Sequence, residues 1–465
     1  MLLSFKLKNY KSFIDEAELD MTKKPKQTEL DYSILEENCN KKKIRGLCSS
    51  VIYGPNASGK TNIIGAMDVM RAIVLRGNIR DSEDESSPNR AAFLLELIPN
   101  NMSEEAEPVE FCIKFTTNGL LIEYALKLDL GSFLDTDYDR KIVSETLFVN
   151  QHMIFQREDG LKIGNLANIS DYVPYAQGLG ADFAEDIILN SLNDEELFLT
   201  NGFKLIFSKD LVKIIVDWFS YKFMVIYRSD SMQLIKRFSD PQKKTIYIDK
   251  TTNKAAEIFG IGSNALGYVD NKEDNKTILC SMMKNAKGKK NFAIAAEIFE
   301  SYGTYRFVNL FPLVIKAIHT GGTLVVDEFD ASIHPMALMN IINIFHNDEI
   351  NIHHAQLIFN THNPIFLNGN IFRRDEIKFV ERNKDQASSI YSLADFGTSG
   401  TYGVRKGEDY MKNYFVSRYG EIKDIDFTPI FEELIASEKE EKSKKKKKLR
   451  SSIIFPLKVT RRNGI

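Results

Sequence analysis

The chain has 465 residues, 43% hydrophobic and 27% charged, with four cysteines and a net charge of -3. This composition excludes a mainly disordered chain, a collagen-like repeat and a disulfide-stapled miniprotein, and it fits about two to four domains. No run of about 18 apolar residues occurs, so no membrane span is expected, and the N-terminus lacks a secretory pattern. Cys39, Cys48, Cys112 and Cys280 form no CxxC pair. They read as reduced thiols of a cytoplasmic protein, not as a zinc site or a disulfide framework.

In chain order, residues 2–9 and 16–21 alternate like neighbouring strands, and 22–47 read as polar and irregular. Residues 48–53 form a short apolar strand, followed by Gly54 to Thr61 and then apolar residues at helical spacing. Residues 109–116 and 121–128 are strand-like around a Thr-Asn-Gly turn signal, and 142–149 with 152–156 predict a second hairpin. Segments 185–201 and 209–224 read as helical, 249–290 is polar without a clear period, and 305–319 predicts a helix. Residues 322–327 and 356–360 fit buried parallel strands, and 376–382 with 389–393 close the ordered part. Beyond Ser437 the chain carries a surplus of +8, against -11 for the rest, with the basic residues concentrated at Lys444 to Lys448. Such a block predicts a flexible tail that docks an effector or a nucleic acid.

Two motifs carry chemistry. Gly54-Pro55-Asn56-Ala57-Ser58-Gly59-Lys60-Thr61 matches GxxxxGK[ST] between a strand and a helix. Its backbone N–H groups close on phosphate oxygens, Lys60 reaches the β- and γ-phosphates of ATP, and Thr61 ligates Mg²⁺. Farther on, the apolar strand Leu324-Val325-Val326 ends in Asp327 and Glu328. Asp327 is the candidate Mg²⁺ holder and Glu328 the candidate general base. Lys60 and Asp327 lie 267 positions apart, which predicts a nucleotide domain split by an insertion.

Further motifs fall in a diagnostic order. They are Asn9-Tyr10-Lys11-Ser12-Phe13, Glu300-Ser301-Tyr302-Gly303-Thr304, Asp330 to Pro335, and Phe359-Asn360-Thr361-His362-Asn363-Pro364. Together they resemble an ABC-type ATPase of the SMC/RecF class. Residues 320–335, 359–367 and Tyr402 to Lys406 with Tyr419-Gly420 further resemble the prokaryotic "AAA-15" (RloA- and AbiL-like) anti-phage defence family. The ATPase subunit of PARIS-type systems is a plausible close relative.

The resemblance implies a mixed α/β P-loop core of ABC type with a mainly helical insertion. The corresponding parts are 1–164 (first half of the core), 165–290 (insertion), 291–436 (second half) and 437–465 (basic flexible tail). It also implies a composite site. One subunit would supply Gly54 to Thr61, Asp327, Glu328 and the switch residue His362, with Lys11 as a further nucleotide contact. A second would supply Ser301 and Gly303 to the γ-phosphate.

ATP and Mg²⁺ are thus the implied cofactors. A homodimer or higher homo-oligomer, an effector nuclease of TOPRIM type and a nucleic acid are the implied partners, with no membrane. One departure stands out: no glutamine occurs between Gln27 and Gln151. The Q-loop place would fall to Phe93 to Pro99 without that side chain. Two rival readings are a nucleotide-gated scaffold or sensor with little turnover, and a RecF-like DNA repair ATPase.

Overall fold

The computed structural model describes residues 1–25, 30–81, 95–102, 106–133, 135, 137–173, 191–228, 250–259, 265–271, 276–284, 291–397, 403–405, 407–420 and 426–452. Its strands in chain order are β1 (Leu2–Lys8), β2 (Ala17–Asp20), β3 (Ile34–Cys39), β4 (Lys42–Leu47), β5 (Ser49–Tyr53), β6 (Val109–Thr117), β7 (Leu120–Asp129), β8 (Lys141–Val149), β9 (His152–Arg157) and β10 (Leu161–Ile163). There follow β11 (Phe223–Ile226), β12 (Ala265–Asn271), β13 (Lys276–Lys284), β14 (Asn291–Ala295), β15 (Thr323–Val326), β16 (Gln356–Asn360), β17 (Ile377–Arg382) and β18 (Ser388–Ser392).

Two sheets form the core. An antiparallel sheet of seven strands runs β10-β9-β8-β7-β6-β1-β2. Its central hairpin turns at Asn118 and Gly119, with φ of 49° and 75°. Two left-handed residues match the twist of the flanking strands, which is why Asn-Gly signals such a turn. The second sheet runs β11-β15-β16-β5-β17-β18 and is parallel except for β18.

Alternation decides which face each residue of the second sheet serves. Ile52, Val325, Ile358 and Val380 join one hydrophobic cluster with the helix Lys60–Arg76 and the antiparallel sheet. Val51, Tyr53, Leu324, Val326, Leu357 and Phe359 join another, with the helices Tyr302–Thr320 and Pro335–Phe345. The parallel strands are therefore apolar on both faces. The core is mixed α/β, as expected.

Three expectations change. Residues 34–47 are not irregular but form the hairpin β3–β4, which turns at Asn40 and Lys41 with φ of 45° and 64°. The sequence hid it because a lysine stands where glycine usually marks the turn. The stretch 165–290 contains the expected helix at Lys209–Asp217, but Phe223–Ile226 continues it as a strand of the core sheet. An apolar run of four residues buried on both faces has no strand period to read. Residues 250–284 supply a helix, Lys250–Phe259, and the strands β12 and β13, which pair antiparallel. Positions 185–190 of the expected helix 185–201 lie outside the described residues.

By contacts the chain divides into Met1–Glu421 and Ile422–Ile465. Within and before the basic segment, Thr428–Ser452 is one helix. Glu438–Lys442, Glu440–Lys444 and Glu441–Lys445 pair at i,i+4 with glutamate N-terminal to lysine. That order supports a helix by a few tenths of a kcal/mol per pair, about 0.2–0.5. The stretch Ile453 to Leu457, expected to add to a sheet edge or fill a groove, lies outside the described residues. No described helix is long and apolar enough to cross a membrane.

Candidate functional site

The Gly54–Thr61 loop leaves β5 at its C-terminal end and feeds the helix that starts at Lys60. Two glycines are required by close approach. A Cβ on Gly54 would lie 2.2 Å from the Val380 carbonyl oxygen, and one on Gly59 2.7 Å from the hydroxyls of Ser12 and Ser388. Both have positive φ, 155° and 110°. Ala57 is also left-handed, at 62°.

Lys60 is buried and folds back over the loop, donating to the carbonyls of Gly54 at 2.8 Å and Pro55 at 2.9 Å. Burial pushes its pKa down to about 8, against the pull of Asp327, Glu328 and Asp330. An anion in the loop would supply the charge partner that these carbonyls replace.

The long sequence separation closes in space. Thr61 Oγ1 donates to Asp327 Oδ1 at 3.0 Å, across 266 positions. The reason is strand order: β16 lies between β5 and β15, and all three point their C-terminal ends the same way. Asn360, at the end of β16, bridges the other two. Its Nδ2 donates to Asp327 Oδ1 at 2.6 Å, and its Oδ1 accepts from the Glu328 amide. The Arg228 amide at the end of β11 donates to Asp327 Oδ2 at 3.3 Å. Asp327 is buried, whereas Glu328 is exposed at φ 49°. The pair thus separates into an inner carboxylate beside Thr61, suited to a cation, and an outer one open to water.

His362 follows β16 on an exposed turn. Desolvation lowers its pKa below 6.5 and the Lys60 cation adds to this, opposed by Asp330, Glu328 and Asp327. The ring is therefore neutral at pH 7 and free to donate or accept one hydrogen bond.

Ser301 caps the helix Tyr302–Thr320, accepting from the Thr304 amide at 3.1 Å. It is exposed, while Gly303 is buried against the Ser332 carbonyl, which a Cβ would approach to 2.1 Å. Glycine at this place is thus imposed by the loop that follows Glu328. His334 caps the helix Pro335–Phe345 through Nδ1 and has a structural part.

Lys11 is held differently from the expected nucleotide contact. Its Nζ bonds Glu96 Oε2 at 2.7 Å and the Tyr227 hydroxyl at 3.1 Å, and Arg228 completes the cluster on Glu96 Oε1 at 3.2 Å. It is Ser12 that touches the loop helix, accepting from Asn62 Nδ2 at 2.8 Å. Glu96 lies in the segment assigned to the missing glutamine, of which Phe93 and Leu94 are outside the described residues, as are Tyr402 and Lys406. The place therefore carries a carboxylate already bound to Lys11, Tyr227 and Arg228.

Sequence reading missed the bridging part of Asn360 and that of Arg306. Arg306 is buried and bonds the carbonyls of Asp327, at 3.3 Å, and Glu328. A polar residue ending an apolar strand beside the acidic strand was a usable signal for Asn360. Arg306 sits in an apolar helix and offered none.

The chain matches the family described as "AAA domain, putative AbiEii toxin, Type IV TA system" over residues 49–368. It belongs to that AAA-domain family, and the Gly54–Thr61 loop and the Asp327 strand fall within the matched span. Among solved structures it is similar to the SMC head domain from Thermotoga maritima, at 16% identity and a TM-score of 0.34, covering 84% of this chain and 98% of that one. A comparison with curated proteins finds none that matches.

Proposed function

We propose that the chain is an ABC-type ATPase of SMC/RecF kind that hydrolyses ATP with Mg²⁺. In this reading it assembles as a homodimer or higher homo-oligomer around the nucleotide and controls a partner nuclease or toxin in anti-phage defence. The observation that carries the catalytic reading is the Thr61–Asp327 bond at 3.0 Å, with Glu328 open to water next to it. Thr61 and Asp327 would hold Mg²⁺, the N–H groups of residues 54–61 and Lys60 the phosphates, and Glu328 would draw the proton from the attacking water. Mg²⁺ would neutralise charge on the phosphate oxygens.

The shared site is supported by what lies on the outer surface. Ser301 stands exposed at the start of a 19-residue helix, whose N–H groups suit a phosphate from another subunit. Tyr302, Met336 and Ile365 flank Ser301, His334 and His362 in sequence and are 51%, 62% and 46% exposed. Uncovered apolar side chains beside each of these loops fit a surface that a second copy covers.

The test is sedimentation of the full chain with ATP, Mg²⁺ and a non-hydrolysable analogue, alongside phosphate release. Expected are dimers with the analogue and their loss as ATP is consumed. Monomers under every condition would refute the assembly. No phosphate release from a protein that dimerises would favour the scaffold reading.

His362→Gln is expected to lower turnover by roughly 10²-fold while ATP affinity changes a few-fold at most. Because His362 titrates below 6.5, wild-type turnover should hold level above that pH and fall below it. The His362→Gln profile should lack that acid limb. Collapse of ATP affinity with unchanged turnover per bound ATP would make His362 a ground-state ligand.

For the partner, the apolar side of the C-terminal helix favours an effector protein over RNA or DNA, of the TOPRIM nuclease type that the resemblance implies. In Thr428–Ser452 the residues Ile430, Phe431, Leu434 and Ile435 are exposed along one side. Truncation before Thr428 is expected to leave ATPase activity intact and to abolish capture of the effector in pull-downs at low and physiological salt alike. A truncation effect confined to low salt, with capture already weak for both forms at physiological salt, would point to nucleic acid.

A further inference from the structure

At the end of β5 away from the Gly54 loop, a second cluster of reactive side chains is closed off from solvent. It comprises Cys48, just before β5, His346, at the end of the helix Pro335–Phe345, and Glu376, just before β17. Their exposures are 0%, 7% and 0%. Glu376 Oε1 lies 3.8 Å from Cys48 Sγ and 3.4 Å from His346 Nε2, and the donor atoms all lie within 4.8 Å of one another. Ser49 Oγ sits at the same point, 2.7 Å from Glu376 Oε1 and 3.0 Å from His346 Nε2. None of these residues takes part in the nucleotide site.

We infer that Cys48, His346 and Glu376 form a structural zinc site, with Ser49 Oγ at the fourth corner. Three observations support it. The first is geometry. Zinc bonds of about 2.3 Å to sulfur and 2.0–2.2 Å to nitrogen or oxygen give tetrahedron edges of about 3.3–3.6 Å. Two of the three ligand edges already lie near this range; a metal would require Cys48 to close toward His346 and Ser49 Oγ, now at hydrogen-bond distance from Glu376 and His346, to draw back by a few tenths of an ångström.

The second is charge. Glu376 is a fully buried carboxylate, and a thiolate plus a carboxylate balance a dication, leaving the buried site neutral. Binding requires the Cys48 proton to leave to solvent as the sulfur–metal bond forms. Burial, and then the Glu376 charge, push the Cys48 thiol well up, with Ser33 only partly opposing them, so it is the metal that must draw the proton off.

The third is support for the ligands. Glu376 Oε2 accepts from the Arg373 amide at 2.8 Å, and the His346 ring is flanked by Tyr32 and Phe372, each at 5.6 Å. Fixed ligands in an apolar shell mark a closed site, and sulfur with imidazole selects zinc over magnesium. The ion would tie β5, β17 and the intervening helix together at their shared end.

The test uses the full chain without a histidine tag, expressed with added zinc and dialysed. Elemental analysis should find about one zinc per chain in wild type, falling more than about tenfold in Cys48→Ser and in His346→Gln. Cobalt titration of the stripped protein should give a thiolate-to-cobalt charge-transfer band, which no oxygen site for Mg²⁺ can produce. The band should persist in the Cys39→Ser/Cys112→Ser/Cys280→Ser variant, whose remaining thiol is Cys48. Wild type without zinc and without the band would overturn the proposal, as would a band that survives in Cys48→Ser. In that case the cluster is a hydrogen-bonded His-Ser-Glu network. If Cys48→Ser does not fold, the triple variant and the wild-type titration still decide.

Discussion

Glu328→Gln protein should bind ATP and Mg²⁺ as wild type does and release phosphate at least about 10²-fold more slowly. The reason is the division of labour in the carboxylate pair. Asp327 is buried against Thr61, Asn360 and the Arg228 amide, so the contacts suited to the cation stay when Glu328 loses its charge. Glu328 lies one residue on, past the strand end, at φ 49° and exposed. Its backbone is fixed by Asn360 and Arg306, so glutamine should occupy the same place. An amide accepts the water's proton far less well than a carboxylate does. The ATP-bound assembly should therefore accumulate, visible as a stable dimer by sedimentation. Turnover within about twofold of wild type would remove Glu328 from the role of base.

Lys60→Ala should abolish nucleotide binding, and Ser301→Arg should spare binding in its own subunit while blocking hydrolysis across the interface. Lys60 is buried beneath its own loop and can act only in cis. Ser301 is exposed and lies on the outer end of its helix, so a bulky cation there meets the second subunit first. Mixed in equal amounts, the two variants should recover part of the wild-type rate. The heterodimer then has one site with an intact Lys60 facing an intact Ser301. Recovery is read as phosphate release on mixing, with heterodimers confirmed by differential tagging. Heterodimers without any recovery would exclude the shared geometry and leave each subunit with a complete site of its own.

Much of this was legible along the chain because the information is local. Gly54 to Thr61 is contiguous, since one loop must wrap one group of phosphates with its own N–H bonds. Asp327 and Glu328 are legible because an apolar strand ending in carboxylates is itself a short-range pattern. The Asn118-Gly119 turn and the helices at 60–76 and 302–320 are local in the same sense: their glycines, caps and apolar spacing lie within a few residues. The helix Thr428–Ser452 is local as well, its i,i+4 order of glutamates and lysines lying within one turn, although the charge run alone does not reveal it.

What tertiary structure alone decided are the relations between distant residues. Strand order, with β16 between β5 and β15, makes Asn360 the bridge between the phosphate loop and the acidic pair. Packing in three dimensions assigns Lys11 to Glu96, turns residues 223–226 from an extension of a helix into a core strand, and makes Gly303 obligatory beneath Ser332. It also gathers Cys48, His346 and Glu376, which are spread over more than 300 positions with no recurring spacing. A sequence records which residues are neighbours along one dimension. Sheet order and helix packing create neighbours across two more, and no pattern within a window of the chain encodes them.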